Sequence, residues 1–343
     1  MVKFPGVGSK LHSMSSSALR DKLTTDFQIS DNPFIGLNSK IFFLGSCFSE
    51  NIFKALGELQ FDVFCNPFGI MYNPVSMANC MEKIANNTVF TETELILHQE
   101  KYHSLDHHGS YCNSTPGNLL QQINQNIQDA NAFLKQANVI FITLGTAYAY
   151  YHKKSNKFVA NCHKIPGTEF DKILLSENEI ITHLRILEES IFELNPNAKI
   201  SYTISPVKHL RDGLQENAIS KARLLSSLFL FLQTGNFKSD YFPAYEIVTE
   251  ELRDHRFYGE DLAHPSEWTV RYIFERFVES RMDIRSRDFI EKYSKFLKME
   301  QHRPISTDNT ELMAWAEKKN LTLQKIQEEF PEIKKPYFKA NSK

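Results

Sequence analysis

Residues 40–59, KIFFLGSCFSENIFKALGEL, change period with no loop between the two halves. Residues 40–44, KIFFL, read as a buried strand. From residue 49 onward Ile52, Phe53, Leu56 and Leu59 recur at helical spacing. Only the turn around Gly45, Ser46 and Cys47 separates them. A buried strand that runs straight into a helix is the opening of a βαβ arrangement. The rest of the chain has to be read against that constraint.

The alternation continues. FDVF (61–64) reads as a second strand, NPFGIMYNP (66–74) as a loop and VSMANCMEKIA (75–85) as a helix. ELILHQEKYHSLDHHGSY (94–111) reads as extended. Residues 118–137 form an amphipathic helix with Leu119, Ile123, Ile127 and Phe133 near one face. NVIFITLG (138–145) is the clearest strand, apolar, β-branched and stopped by Gly145. Residues 148–166 read as a hairpin with Ser155-Asn156 near its turn. Helices over 177–196, 215–235 and 265–280 are separated by strands over 199–205 and 245–248. Such an order predicts a parallel sheet covered on both faces, an α/β sandwich. Residues 1–38 read as a polar N-terminal arm, 39–282 as one α/β domain, and 283–343 as a peripheral helical extension.

Composition narrows the function classes. Lys+Arg 39 against Asp+Glu 41 gives a net charge of -2, with no basic surplus for nucleic acid. No apolar run spans a bilayer, since LLSSLFLFL (224–232) is too short, and residues 1–23 lack the apolar core of a signal peptide. Five cysteines, Cys47, Cys65, Cys80, Cys112 and Cys162, form no C-x-x-C pair, so free thiols and a cytoplasmic location are expected.

In open parallel sheets ligands gather at the carboxyl ends of the strands. The polar residues there include Ser46 and Cys47, Asn66 and Gly69, Thr146 and Tyr148, Ser205, Lys208 and His209, and GEDLAHPSEW with Asp261 and His264. Ser46 taken alone reads as a helix N-cap, and that reading is compatible with a nucleophile. The helix start that accepts a cap also offers free N–H groups to an anion. Cys47 is the rival nucleophile, since a thiolate is favoured at a helix start. Asp261, three residues before His264, reads either as a helix cap or as the carboxylate that holds an imidazole Nδ1 proton. Asp106, His107 and His108 raise the question of a metal, but adjacent histidines on a strand face opposite ways. No metal site is expected. The Gly45 turn carries no phosphate-loop pattern.

These pieces resemble the GSCFA-domain family. Its motif is met here by Gly45-Ser46-Cys47-Phe48-Ser49, with Ser49 in place of the usual Ala. NPFGIMYNP, YHSLDHHGSY (102–111), FITLGTAYAY (141–150), NCHKIP (161–166), SPVKHLRDGLQENAISKARLL (205–225), and YFPAYEIV with DLAHPSEW (241–268) follow in order. The family is similar to the SGNH/GDSL hydrolases. That resemblance implies a flavodoxin-like three-layer α/β/α fold and a serine esterase with no cofactor, acting on a small-molecule or glycan acyl ester. It implies Ser46 as nucleophile, His264 as base and Asp261 as its partner, with the N–H groups of Ser46 and Gly69 as oxyanion donors. SGNH enzymes carry a third donor in a G-x-N-D block. Here that block reads Gly145-Thr146-Ala147-Tyr148. Thr146 and Asn161 are the candidate replacements. Losing one such donor typically costs about 2.7–4 kcal/mol. His107, His108, His163 and Lys164 are candidate substrate contacts. An O-acyltransferase with the same triad and a non-catalytic binding module on the same frame are the alternatives.

Overall fold

The computed structural model describes residues 28–235, 239–301 and 309–333. The first 27 residues of the expected arm, and residues 302–308 and 334–343 of the expected extension, lie outside them.

Five strands form one parallel sheet: β1 (Lys40–Gly45), β2 (Asp62–Cys65), β6 (Val139–Leu144), β10 (Lys199–Ile204) and β11 (Ser239–Tyr241), in the order β11-β10-β6-β1-β2. This is the doubly wound order in which the chain reverses direction across the sheet between β1 and β6. The expected flavodoxin-like, three-layer α/β/α fold is the one observed.

Each sheet face is dressed by the alternation of the strands. Phe42 and Leu44 of β1 join Ile140, Ile142, Ile200 and Tyr202 on one face. Helices α2 (Pro74–Ala85), α3 (Pro116–Leu134), α4 (Glu177–Leu194) and α5 (Leu214–Thr234) cover that face with residues such as Met81, Ile123, Leu184 and Leu228. Ile41 and Phe43 point the other way. They share a core with Ile52 of α1 (Cys47–Glu58) and Phe277 of α6 (Glu267–Arg281), and α7 (Ile284–Gln301) joins it at the edge, with Phe289 edge-on to Phe61. A last helix, α8 (Asn309–Glu329), lies beyond α7, and Phe330 after it stacks edge-on to Phe289 at 5.3 Å. The C-terminal helices lie outside the sheet layers yet share this second core. Residues 32–35 run beside the end of α6, with Ile35 fully buried and bridged to Met282. No described helix is long and apolar enough to cross a membrane.

Two small antiparallel sheets stand apart from the main one. β3 (Leu95–His98), β4 (Lys101–Ser104) and β5 (Cys112–Asn113) form the first. Gln99 and Glu100, both at positive φ, make its two-residue hairpin turn. β7 (Tyr148–His152), β8 (Lys157–Val159) and β9 (Phe170–Leu174) form the second, with β7–β8 as the expected hairpin.

One strand was misplaced by the periodicity. YEIV, expected as a strand over 245–248, lies in helical turns spanning Ala244–Leu252. The edge strand is β11 instead. Phe242 still donates to the Tyr202 carbonyl at 2.7 Å, but Pro243 cannot extend the ladder. The short apolar run Ile247-Val248 is buried as part of a helical turn. A run of that length is compatible with either state.

Candidate active site

The bend after β1 requires glycine. Gly45 sits at φ 140, and a Cβ there would fall 2.3 Å from the Thr143 carbonyl oxygen. With no side chain, β1 lies flush against β6 up to its last residue. Ser46 then caps α1: its Oγ accepts the Phe48 N–H at 3.3 Å, and the residue is 1% exposed. Its own N–H makes only a long 3.4 Å contact with the Thr143 carbonyl. The cap and nucleophile readings therefore share one geometry. Cys47 behaves unlike an activated thiol. Burial, and after it the nearby Glu50 carboxylate, push its pKa up. That disfavours the reactive thiolate and so favours Ser46 of the two.

The loop after β2 forms the second wall. Asn66 adopts the left-handed conformation at φ 46, which asparagine tolerates better than most residues. Its N–H donates to Phe43 O at 3.0 Å, and its Oδ1 accepts the Gly45 N–H at 2.8 Å. Met71 N–H returns to Gly45 O at 3.0 Å. Gly69, at φ 79, has no room for a side chain, since a Cβ would fall 2.4 Å from His108 Cβ. The Gly69 N–H, expected to face an oxyanion, closes this turn on Asn66 O at 2.8 Å.

The third wall follows β6. Gly145 and Thr146 both donate their N–H to Tyr72 O, at 2.7 and 2.9 Å. The Thr146 hydroxyl pairs with Ser220 Oγ at 3.0 Å and accepts the Tyr148 N–H at 3.1 Å. It is therefore built into the scaffold. Asn161 bonds elsewhere, with its N–H on Leu105 O and its Oδ1 on the His163 N–H.

Asp261 and His264 meet as the spacing suggested. His264 Nδ1 lies 2.6 Å from Asp261 Oδ2. Asp261 Oδ1 also accepts the N–H groups of Ala263 and His264, both at 2.9 Å. The His264 N–H, then the imidazole, then the Ala263 N–H lower the Asp261 pKa to about 2. Asp261 is thus an acceptor at neutral pH, the proton sits on Nδ1, and Nε2 is left free. Helix α6 is capped by Ser266, whose Oγ accepts the Thr269 N–H, so Asp261 is not its cap. Pro265 precedes that cap instead of opening the helix.

Lys221, which lies outside the expected set, and Lys208 and His209, expected after the strand over 199–205, tie the walls together. Lys221 is buried on α5, and its Nζ donates to Gly145 O at 2.6 Å and Ser205 O at 2.7 Å, bridging the ends of β6 and β10. Burial lowers its pKa to about 7. His209 stands edge-on to Tyr72 at 5.3 Å, and its pKa falls to about 4 through burial and then the charge of Lys221, with His264 contributing further. The Lys208 N–H donates to Ala263 O at 3.0 Å, anchoring the Asp261–His264 loop to the loop after β10. A lysine on the buried stripe Asn217, Lys221, Leu224, Leu228 was the legible signal for the first of these.

The four expected substrate contacts divide. His108 packs on Gly69 and donates its N–H to Phe68 O. His107 is fully buried, stacked on Phe68 at 4.1 Å with Nδ1 on Ser104 Oγ, so it serves the core. His163 is buried with Nε2 2.7 Å from Ser104 O, and burial lowers its pKa to about 4. Lys164 is exposed. No group of three or more His, Cys, Asp or Glu among the described residues is arranged to hold a metal.

No curated protein matches the chain. Among solved structures, a carbohydrate esterase family 3 protein from Talaromyces cellulolyticus is similar at 9% identity. The match covers 70% of this chain and 94% of that one, with a TM-score of 0.33. The model of the GSCFA family matches residues 40–277, which contain every element around the Gly45-Ser46 turn and the Asp261–His264 pair, and the chain belongs to that family.

Proposed function

We propose that this protein is an SGNH-like serine esterase that cleaves an acyl ester, acetyl esters included, of a small molecule or glycan. The 2.6 Å contact between His264 Nδ1 and Asp261 Oδ2 carries the reading, because it prepares Nε2 as a base. Ser46 Oγ bonds to the ester carbonyl carbon as its proton passes to His264 Nε2, and the carbonyl π pair moves to oxygen. When that oxyanion collapses, the bond to the alcohol breaks and His264 returns the proton to the leaving oxygen. Water then attacks the acyl-serine with the same imidazole as base, releasing the acid and restoring Ser46.

One observation favours a second reading. Ser46 is 1% exposed. A nucleophile sheltered from water can hold its acyl group for a bound hydroxyl acceptor, which makes an O-acyltransferase. Both readings need an activated Ser46. A fluorophosphonate probe is expected to label the wild type and not Ser46→Ala, and aryl acetate hydrolysis is expected to disappear with the label. Acceptor alcohols that divert the acyl group from water would identify the transferase. Ser46→Ala with unchanged turnover would remove Ser46 as the nucleophile, and a wild type that is neither labelled nor active would leave a non-catalytic binding module.

A further inference from the structure

The serine reading needs an oxyanion site, and the expected donors are largely spent. The Gly69 N–H closes a turn on Asn66 O, and the Thr146 hydroxyl is paired with Ser220. One strong donor on the side chain that holds Gly45, the residue before Ser46, is unused. Asn66 Nδ2 is buried and has no hydrogen-bond partner among the described residues, in a residue that is 6% exposed overall. Its orientation is not interchangeable. The Gly45 N–H donates to the other end of the amide at 2.8 Å, which fixes Oδ1 there and turns Nδ2 away from it. Because that contact is made with the residue before Ser46, the carboxamide lies within one peptide unit of the nucleophile. A buried amide N–H without an acceptor is rare and calls for an explanation.

We infer that Asn66 Nδ2 is an oxyanion donor of the Ser46 site, supplying from the β2 side of β1 the amide that the block Gly145-Thr146-Ala147-Tyr148 lacks on the β6 side. The inference rests on the esterase reading. As Ser46 Oγ bonds to the carbonyl carbon, the carbonyl π pair moves to oxygen, and Nδ2–H donates to the charge that develops there. When the C–O bond to the alcohol breaks, the pair returns. Asn66 neither gains nor loses a proton. The amide's two ends would then do separate work: Oδ1 holds the Gly45 bend in place, and Nδ2 stabilises the transition state.

Asn66→Asp separates those two tasks. It keeps an acceptor for the Gly45 N–H and a residue type that tolerates positive φ, but replaces the NH2 donor by oxygen. The expected result in the folded variant is fluorophosphonate labelling of Ser46 and kcat for p-nitrophenyl acetate each reduced about 10²–10³-fold, with KM little changed. Wild-type rates in Asn66→Asp would overturn the assignment and leave Asn66 as a support for Gly45. Should that variant not fold, a crystal structure of the phosphonylated wild type decides. Asn66 Nδ2 within hydrogen-bond reach of the phosphonyl oxygen supports the inference, and a nitrogen out of reach overturns it. If the wild type itself is neither labelled nor active while the variant folds, the esterase reading falls and this inference falls with it.

Discussion

Gly45 and Thr143 stand opposite each other in the β1–β6 pair, and a Cβ on Gly45 would fall 2.3 Å from the Thr143 carbonyl oxygen. The contact is with backbone, so no rotamer relieves it. Gly45 is also at φ 140, outside the range of L side chains. Gly45→Ala should therefore destabilise the fold by about 3 kcal/mol or more, through strain and through separation of the two strands. Urea denaturation measures this. A wild-type midpoint would mean that β1 and β6 can part at the site without cost.

Ser49 replaces the alanine usual in the family motif, and its hydroxyl bonds to Thr143 Oγ1 at 2.6 Å inside the core. Ser49→Ala should cost about 1–2 kcal/mol, because the Thr143 hydroxyl loses its buried partner. The effect should appear in the urea midpoint with an unchanged m-value. A more stable Ser49→Ala would show that the pair is only tolerated.

Asp261 is held near a pKa of 2 by the His264 N–H, the imidazole and the Ala263 N–H. A depressed carboxylate pKa contributes stability that is fully present above the ordinary carboxylate range and is lost as pH falls from about 4 towards 2. Asp261 therefore stays ionised throughout the neutral range. Asp261→Asn should lower kcat about 10²–10⁴-fold by removing the acceptor that fixes the imidazole tautomer. The measurement is kcat against pH for both proteins. A wild-type profile in Asp261→Asn would dissolve the triad.

Lys221 has its pKa lowered to about 7 by burial, against an ordinary value of about 10.4 in the unfolded chain. Between these values the unfolded state binds the extra proton, so stability rises with pH across that window. The unfolding free energy of wild type should accordingly rise relative to that of Lys221→Met from pH 7 to pH 10. A gap that is constant with pH would mean Lys221 stays charged where it lies.

Much of the architecture was legible because its signals are local. β1 and β6 are unbroken apolar runs ended by glycine, and the helices between strands carry their apolar stripes at helical spacing. YEIV misled because four residues are too few to distinguish a strand from a buried helical turn, and Pro243 ahead of it was the better guide. Asp261 and His264 could be paired by counting three residues. Asn66, Lys221 and His209 could not be paired with anything in that way. Their partners, Gly45, Gly145, Ser205 and Tyr72, are distant in the chain and meet only through backbone groups or ring faces. Backbone acceptors leave no mark on side-chain spacing. For the same reason the sequence could not reveal that the Gly69 N–H was already committed to Asn66 O.

The loops around Ser46 are joined largely through main-chain atoms: Asn66 N–H to Phe43 O, Met71 N–H to Gly45 O, and Gly145 and Thr146 N–H to Tyr72 O. Bonds of this kind do not depend on which side chain a residue carries. Exposed side chains such as Leu210, Leu214 and Leu262 make little contribution to that lattice and can be exchanged without loosening it. A library randomised at those three positions should keep its fold almost throughout, and so offers a practical route to retuning the proposed site.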